Sequence, residues 1–197
     1  MSYKTLSLLT LTLVFFVAGS VFAADRPVGD LRECSGPNAF HGMVMTPDND
    51  FGVPGVLLEF EGACSDQAES DADGSYVLDA AADGDYIITP SKFGDQGDAI
   101  GPFDAANAAR FSAGLIDLDE YQQIAADVTG DGNITPFDAA RILQFSVGIL
   151  DEFPAGDWAF SPNEAIEVGL AGGEDREVNF VGILIGDVTL NWEPSGR

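Results

Sequence analysis

Two hydrophobic periods alternate along the chain. FHGMVM at 40–45, PGVLLEF at 54–60, GSYVLDA at 74–80 and DYIITPSK at 85–92 repeat every second residue, and so do WAF at 158–160, AIEVGL at 165–170 and REVNFVGILI at 176–185. Gly, Pro and Asp separate these stretches, with Asp73-Gly74 and Asp83-Gly84 reading as hairpin turns. Period two sends alternate side chains to opposite faces of a strand, so Val56, Leu58 and Phe60 face a core while Glu59 and Glu61 face water. Several short strands of this kind predict an all-β sandwich.

Between the two groups the period becomes helical. PFDAANAARFSAGLID at 102–117 and PFDAARILQFSVGILD at 136–151 lie 34 residues apart and agree at nine of sixteen positions, which marks an internal duplication. Ala105, Ala108, Ala109, Phe111 and Leu115 form an apolar stripe in the first copy, as do Ala139, Ile142, Leu143, Phe145, Ser146 and Ile149 in the second. Each copy is predicted to be a helix ending near Gly114 or Gly148, and Leu118, Tyr121, Ile124 and Ala125 give a short linking helix. The expected fold is mainly β with an α insertion. The helical pair enters a loop of the sandwich between Lys92 and Trp158; two separate β units flanking it are the alternative.

Composition adds location and chemistry. Lys4, the apolar run from Leu6 to Val17 and the small-residue end Val21-Phe22-Ala23 read as a secretory signal peptide over 1–23. No later apolar run approaches the ~20 residues that span a membrane. No Cys directly follows the cut and the end EPSGR is polar, so no lipid anchor is expected and the mature protein is expected to be exported and soluble. With 33 acidic and 8 basic side chains, a net charge of −25, the chain repels phosphate backbones, which argues against nucleic acid as a partner. A hydrophobic content of 46% argues against disorder. The acids therefore cover a folded surface, as in a salt-adapted protein, or bind cations. Cys34 and Cys64 are expected to pair in an oxidising compartment, closing a loop of about thirty residues worth roughly 3 kcal/mol; two buried thiols are the alternative. One His, His41, leaves little for acid-base or thiol chemistry, and no phosphate-cradling or nucleophilic pattern stands out, so an enzyme is the least expected class.

The segment ahead of the second helix, DVTGDGNITPFD at 127–138, carries the strongest chemical signal. An EF-hand-type loop takes oxygen ligands at positions 1, 3, 5, 7, 9 and 12, with Gly at 6 for the sharp turn. From Asp127 those positions fall on Asp127, Thr129, Asp131, Asn133, Thr135 and Asp138, with Gly132 at the turn and Ile134 as the apolar anchor. Three carboxylates in one short loop repel unless a cation lies among them, so calcium is the expected ligand; an acidic Asp-Gly turn capping a helix is the competing reading. Ahead of the first helix the usual first ligand is missing, and Asp95, Asp98 and Asp104 are left either as a shortened site or as a structural loop. IGDVTLNW at 185–192 repeats the opening Asp-Val-Thr, but no Gly, anchor or closing acid follows, so it reads as a strand end and turn.

Two loop-helix units in tandem, each closed by Asp, resemble a dockerin, the calcium-dependent module that docks onto cohesin domains; the resemblance covers 94–151. It implies a cohesin-like partner, an association with extracellular polysaccharide breakdown, and a docking surface involving Phe103, Arg110, Phe137 and Gln144. The flanking GVPGVLLEFEG, SDADGSYVLDAAADGDYIITPSK, WAFSP and Asn179-Phe180 are similar to carboxypeptidase regulatory-like domains. That implies an Ig-like or prealbumin-like β-sandwich built from 36–92 and 157–190, interrupted by the dockerin-like domain. The runner-up is a structural or adhesive cell-surface module that calcium rigidifies. A polysaccharide is the further candidate ligand, with Trp158, Trp192 and exposed tyrosines as its candidates.

Overall fold

The computed structural model describes residues 34–162 and 166–194; the expected signal peptide lies outside them. The elements run β1 (Asn38–Met45), β2 (Leu57–Gly62), β3 (Asp66–Glu69), β4 (Ser75–Ala81), β5 (Gly84–Ser91), α1 (Pro102–Ser112), α2 (Glu120–Ala126), α3 (Pro136–Ser146), β6 (Trp158–Ser161), β7 (Ile166–Leu170), β8 (Asp175–Glu177) and β9 (Phe180–Leu184). The described residues are thus mainly β, with two sheets, and the three helices fall between β5 and β6. None of these helices is long and apolar enough to cross a membrane.

One sheet has the order β4-β1-β9-β6, with β8 also paired to β1, and the other is β3-β2-β5-β7. The second sheet is antiparallel throughout, whereas β8 and β9 both run parallel to β1. REVNFVGILI, continuous in its alternation, is broken in two because Asn179 enters the ladder: its side-chain oxygen accepts the Met43 amide at 2.8 Å. The charged strand β3 shows no alternation to announce it. It forms as the edge partner of β2, with Leu57 opposite Glu69 and Phe60 opposite Asp66.

Alternation fixes what the sheets bury. Val56, Leu58 and Phe60 are buried, and Glu59 and Glu61 are exposed. Phe40 of β1 packs against Phe60 of β2 and Tyr86 of β5, ring centroids 5.1 and 5.2 Å apart, so aromatic contact joins the two sheets. Tyr76 donates to the Val178 carbonyl at 2.6 Å, and burial pushes its phenol well above the ordinary range. A disulfide between Cys34 and Cys64 ties the segment before β1 to the end of β2.

The helices start and stop where their end residues require. Proline occupies the first turn of α1 and of α3, where its missing N–H costs nothing. Asp104 and Asp138 each reach back to the amide three residues earlier, and Gly114 and Gly148 follow the helix ends at φ of 69° and 70°. Ala105, Ala108, Ala139 and Ile142 form the buried seam between α1 and α3. The predicted stripes are wider than this seam. Leu143, Leu115 and Ile149 are 45%, 71% and 74% exposed, because the small alanines leave only a narrow strip of contact.

Candidate metal centre

In the loop 127–138 the polar groups converge on two carboxylates. Asp127 accepts the amides of Gly130 and Asp131 through Oδ1, at 2.9 and 3.2 Å, and that of Gly132 through Oδ2 at 2.7 Å. Gly130 and Gly132 make this wrapping possible at φ of 72° and 81°, in the left-handed region. Asp138 is fully buried. Its Oδ1 accepts the amide and hydroxyl of Thr129 at 3.1 and 2.8 Å, and its Oδ2 accepts those of Thr135 at 2.9 and 2.8 Å. Burial alone would raise its pKa; the Thr135 and Thr129 hydrogen bonds outweigh it and hold the carboxyl below the usual range. The Thr129 hydroxyl also lies 3.2 Å from Asp127 Oδ1, linking the opening and closing acids. Asp131 and Asn133 are exposed, with the Asn133 amide donating to Asp131 Oδ1 at 2.8 Å.

The first unit is assembled differently from its expected ligand set. The Asp95 carboxylate lies 3.0 Å from Lys92 Nζ and its carbonyl accepts Trp192 Nε1 at 2.6 Å, while Asp98 is exposed. The partner of buried Asp104 comes instead from beyond β9. The amide and hydroxyl of Thr189 both donate to Asp104 Oδ1 at 2.8 Å, and the same hydroxyl lies 3.1 Å from Asp187 Oδ1. Asp187 accepts the amides of Asn191 through Oδ1 at 3.2 Å and of Trp192 through Oδ2 at 2.8 Å, four and five residues on, as Asp127 accepts those of Asp131 and Gly132. Leu190 sits at φ 55°, in the place that Gly130 fills in the other loop.

Asp187-Val188-Thr189 is therefore the counterpart of Asp127-Val128-Thr129, and the first loop is split across the chain. β9 ends at Leu184 and the chain turns over 185–190, as expected for 185–192; the hydrogen bonds to Asp104 come in addition. Asp187 is 1% and Asp104 2% exposed. Burial raises the Asp187 carboxyl and the Asp104 charge adds to this, against hydrogen bonds from Asn191, Trp192 and Thr189. Turning the Asn191 side-chain amide so that its nitrogen faces inward gives donors to Asp187 Oδ1 and the Ala99 carbonyl at 3.0 and 3.2 Å. The signal in the sequence was the repeated Asp-Val-Thr. No Gly, anchor or closing acid follows it because the acid that Thr189 bonds, Asp104, lies earlier in the chain.

Phe103 and Phe137 are 66% and 59% exposed, and Arg110 and Gln144 are exposed too, so none of the four belongs to the helical core. Arg141 lies over the Phe137 ring at 4.8 Å. The candidate sugar-stacking residues are placed otherwise. Trp158 and Trp192 are 8% and 5% exposed and meet edge-on at 4.8 Å, with Trp158 Nε1 bonded to the Gly94 carbonyl. Tyr76 and Tyr86 are buried and Tyr121 is half-buried.

Among the described residues no three carboxylate, His or Cys side chains gather as a ready-made cluster, and the ion pairs are Lys92 with Asp95 and Arg176 with Glu174. Compared with family models, curated proteins and solved structures, the chain matches none.

Proposed function

We propose that this chain is a secreted, non-catalytic, calcium-binding interaction module whose dockerin-like helical pair docks onto a cohesin-type partner in an extracellular assembly related to polysaccharide breakdown. The observation that carries the reading is the pair of loops in which an opening Asp and a closing Asp are bridged by a threonine, Asp127-Thr129-Asp138 and Asp187-Thr189-Asp104. Carboxylate, hydroxyl and carbonyl oxygens are the hard donors that calcium takes. Asp127, Thr129, Asp131, Asn133, Thr135 and Asp138 would hold one ion. A second would draw on Asp187, Thr189, Asp104 and Asn191, whose side-chain amide can turn either its oxygen or its nitrogen toward Asp187 and Ala99. In this reading the sandwich is the Ig-like or prealbumin-like, carboxypeptidase regulatory-like platform, and Phe103, Arg110, Phe137 and Gln144 face the partner.

Calorimetric titration of the mature protein tests the calcium. Heat is expected with wild type and much less with Asp127→Ala; no heat from either removes the claim. Capture from the native secretome, with calcium and then chelator, tests docking through recovery of a cohesin-type protein with calcium only.

One observation favours a second reading, a structural or adhesive module that calcium rigidifies. Trp192 and the backbone around it fasten the helical pair to the strands, as a rigid spacer requires. A polysaccharide ligand would need platforms other than the buried Trp158 and Trp192.

A further inference from the structure

We propose that residues 185–192 form a releasable strap, and that the first turn of α1 and the loop before it keep their place only while the strap is docked. After Leu184 the chain leaves β9 and crosses to the helices, held by a few discrete bonds. Gly186 donates to the Ala125 carbonyl at 2.8 Å, Gln122 Nε2 to the Val188 carbonyl at 3.1 Å, Thr189 to Asp104 twice, and Trp192 Nε1 to the Asp95 carbonyl. Val188 is fully buried, so docking also inserts an apolar plug.

Opposing these gains are two costs built into the same eight residues. Leu190 is a side-chain-bearing residue at φ 55°, where the other loop has glycine. Docking also buries Asp187 beside Asp104, two like charges with no ion-paired cation among the described residues. The sandwich core of Phe40, Phe60 and Tyr86 has no share in either term. The balance is local, so the strap opens without unfolding the sheets.

Opening removes the strap's bonds to Asp95 and to Asp104 in the first turn of α1, while Gly94 stays bonded to Asp157 and Trp158, and so unsettles the end of α1 that carries Phe103. That consequence for docking rests on the proposed function; the opening itself does not. Both tryptophans of the sequence lie at the strap, Trp192 on it and Trp158 against it, so their emission reports its docking.

The test is hydrogen exchange by mass spectrometry on the full chain, with tryptophan emission recorded in parallel. In Thr189→Val, amides of 94–101 and α1 are expected to exchange roughly tenfold faster, the factor for one or two lost net hydrogen bonds, with red-shifted emission and unchanged β2 and β5. Unchanged α1 exchange, or equal acceleration of β2 and β5, overturns the proposal. Leu190→Gly keeps it testable should Thr189→Val fail to fold: relief of the left-handed strain is expected to slow α1 exchange about threefold, and unchanged or faster exchange there overturns it.

Discussion

Thr189 gives both its amide and its hydroxyl to the same oxygen of Asp104, 85 residues earlier, each at 2.8 Å. Thr129 makes the equivalent pair with Asp138 nine residues later. A long-range bond to a buried carboxylate should be strongly coupled, because removing either partner leaves the other unsatisfied. Denaturant unfolding of Asp104→Ala, Thr189→Val and the double variant is expected to give a coupling energy of about 1–2 kcal/mol. Additive losses would mean that the two residues do not act as a pair.

Asn38 holds the opposite end of the sandwich. Its Nδ2 donates to the Ala81 carbonyl and to Asp83 Oδ1, and its Oδ1 accepts the amides of Gly173 and Glu174. With the side chain 1% exposed, Asn38→Ala strands several of these groups and should cost about 3 kcal/mol in thermal or denaturant unfolding.

The same contact sets a pH dependence. The Asn38 side chain first, then the Gly172 amide, lowers the Asp83 pKa below its ordinary 3.8. A depressed folded-state pKa contributes stability that is present above the ordinary value and fades as pH falls through the lower folded one. NMR titration should therefore show Asp83 moving up toward 3.8 in Asn38→Ala, with a smaller loss of stability on acidification than in wild type. An unmoved Asp83 would assign the shift to Gly172 alone.

The sheets were legible in the sequence because burial on one face writes period two into it, as at Val56, Leu58 and Phe60. Charged β3 was not, since an edge strand held by its partner's backbone needs no apolar face. The loop at 127–138 was legible because all of its polar groups are contiguous. Its twin was not: Asp187 and Asp104 are joined only by the path of β9 toward α1, and of the near carboxylates the fold pairs Asp95 with Lys92 and leaves Asp98 exposed. Helical periodicity found α1 and α3 but overstated their core, because it cannot tell an apolar residue in the seam from one left on the surface.

That last distinction separates two kinds of variant. Ile142 is fully buried between the helices and Phe137 is 59% exposed. Ile142→Ala should cost about 2–5 kcal/mol, while Phe137→Ala should stay within about 0.5 kcal/mol of wild type. If the face docks a partner, only the second keeps its fold and loses capture. A destabilised Phe137→Ala would place that ring in the core after all.

The disulfide spans a separation of 30 residues. Closing such a loop restricts the unfolded chain, and the paired replacement Cys34→Ser with Cys64→Ser is expected to lower stability by about 3–4 kcal/mol. Cys64 lies 2.9 Å from the Tyr86 hydroxyl, so a serine there retains a polar contact and the measured loss reports mainly the cross-link.

Calcium stoichiometry is the sharpest check on the split loop. If both loops bind, wild type takes two ions per chain. Asp127→Ala and Asp187→Ala should each take one, although they lie sixty residues apart and only the first falls in a contiguous motif. A saturated site adds stability in proportion to the logarithm of free ion, about 2.7 kcal/mol at a hundredfold excess over its dissociation constant. The melting temperature should therefore rise with calcium in all three proteins, least in the two variants. The like charge of Asp104 and Asp187, which opposes the closed first loop without an ion, becomes the attraction that holds it closed with one. A single ion in wild type, lost in Asp127→Ala and untouched in Asp187→Ala, would leave the first loop as a hydrogen-bonded structural joint.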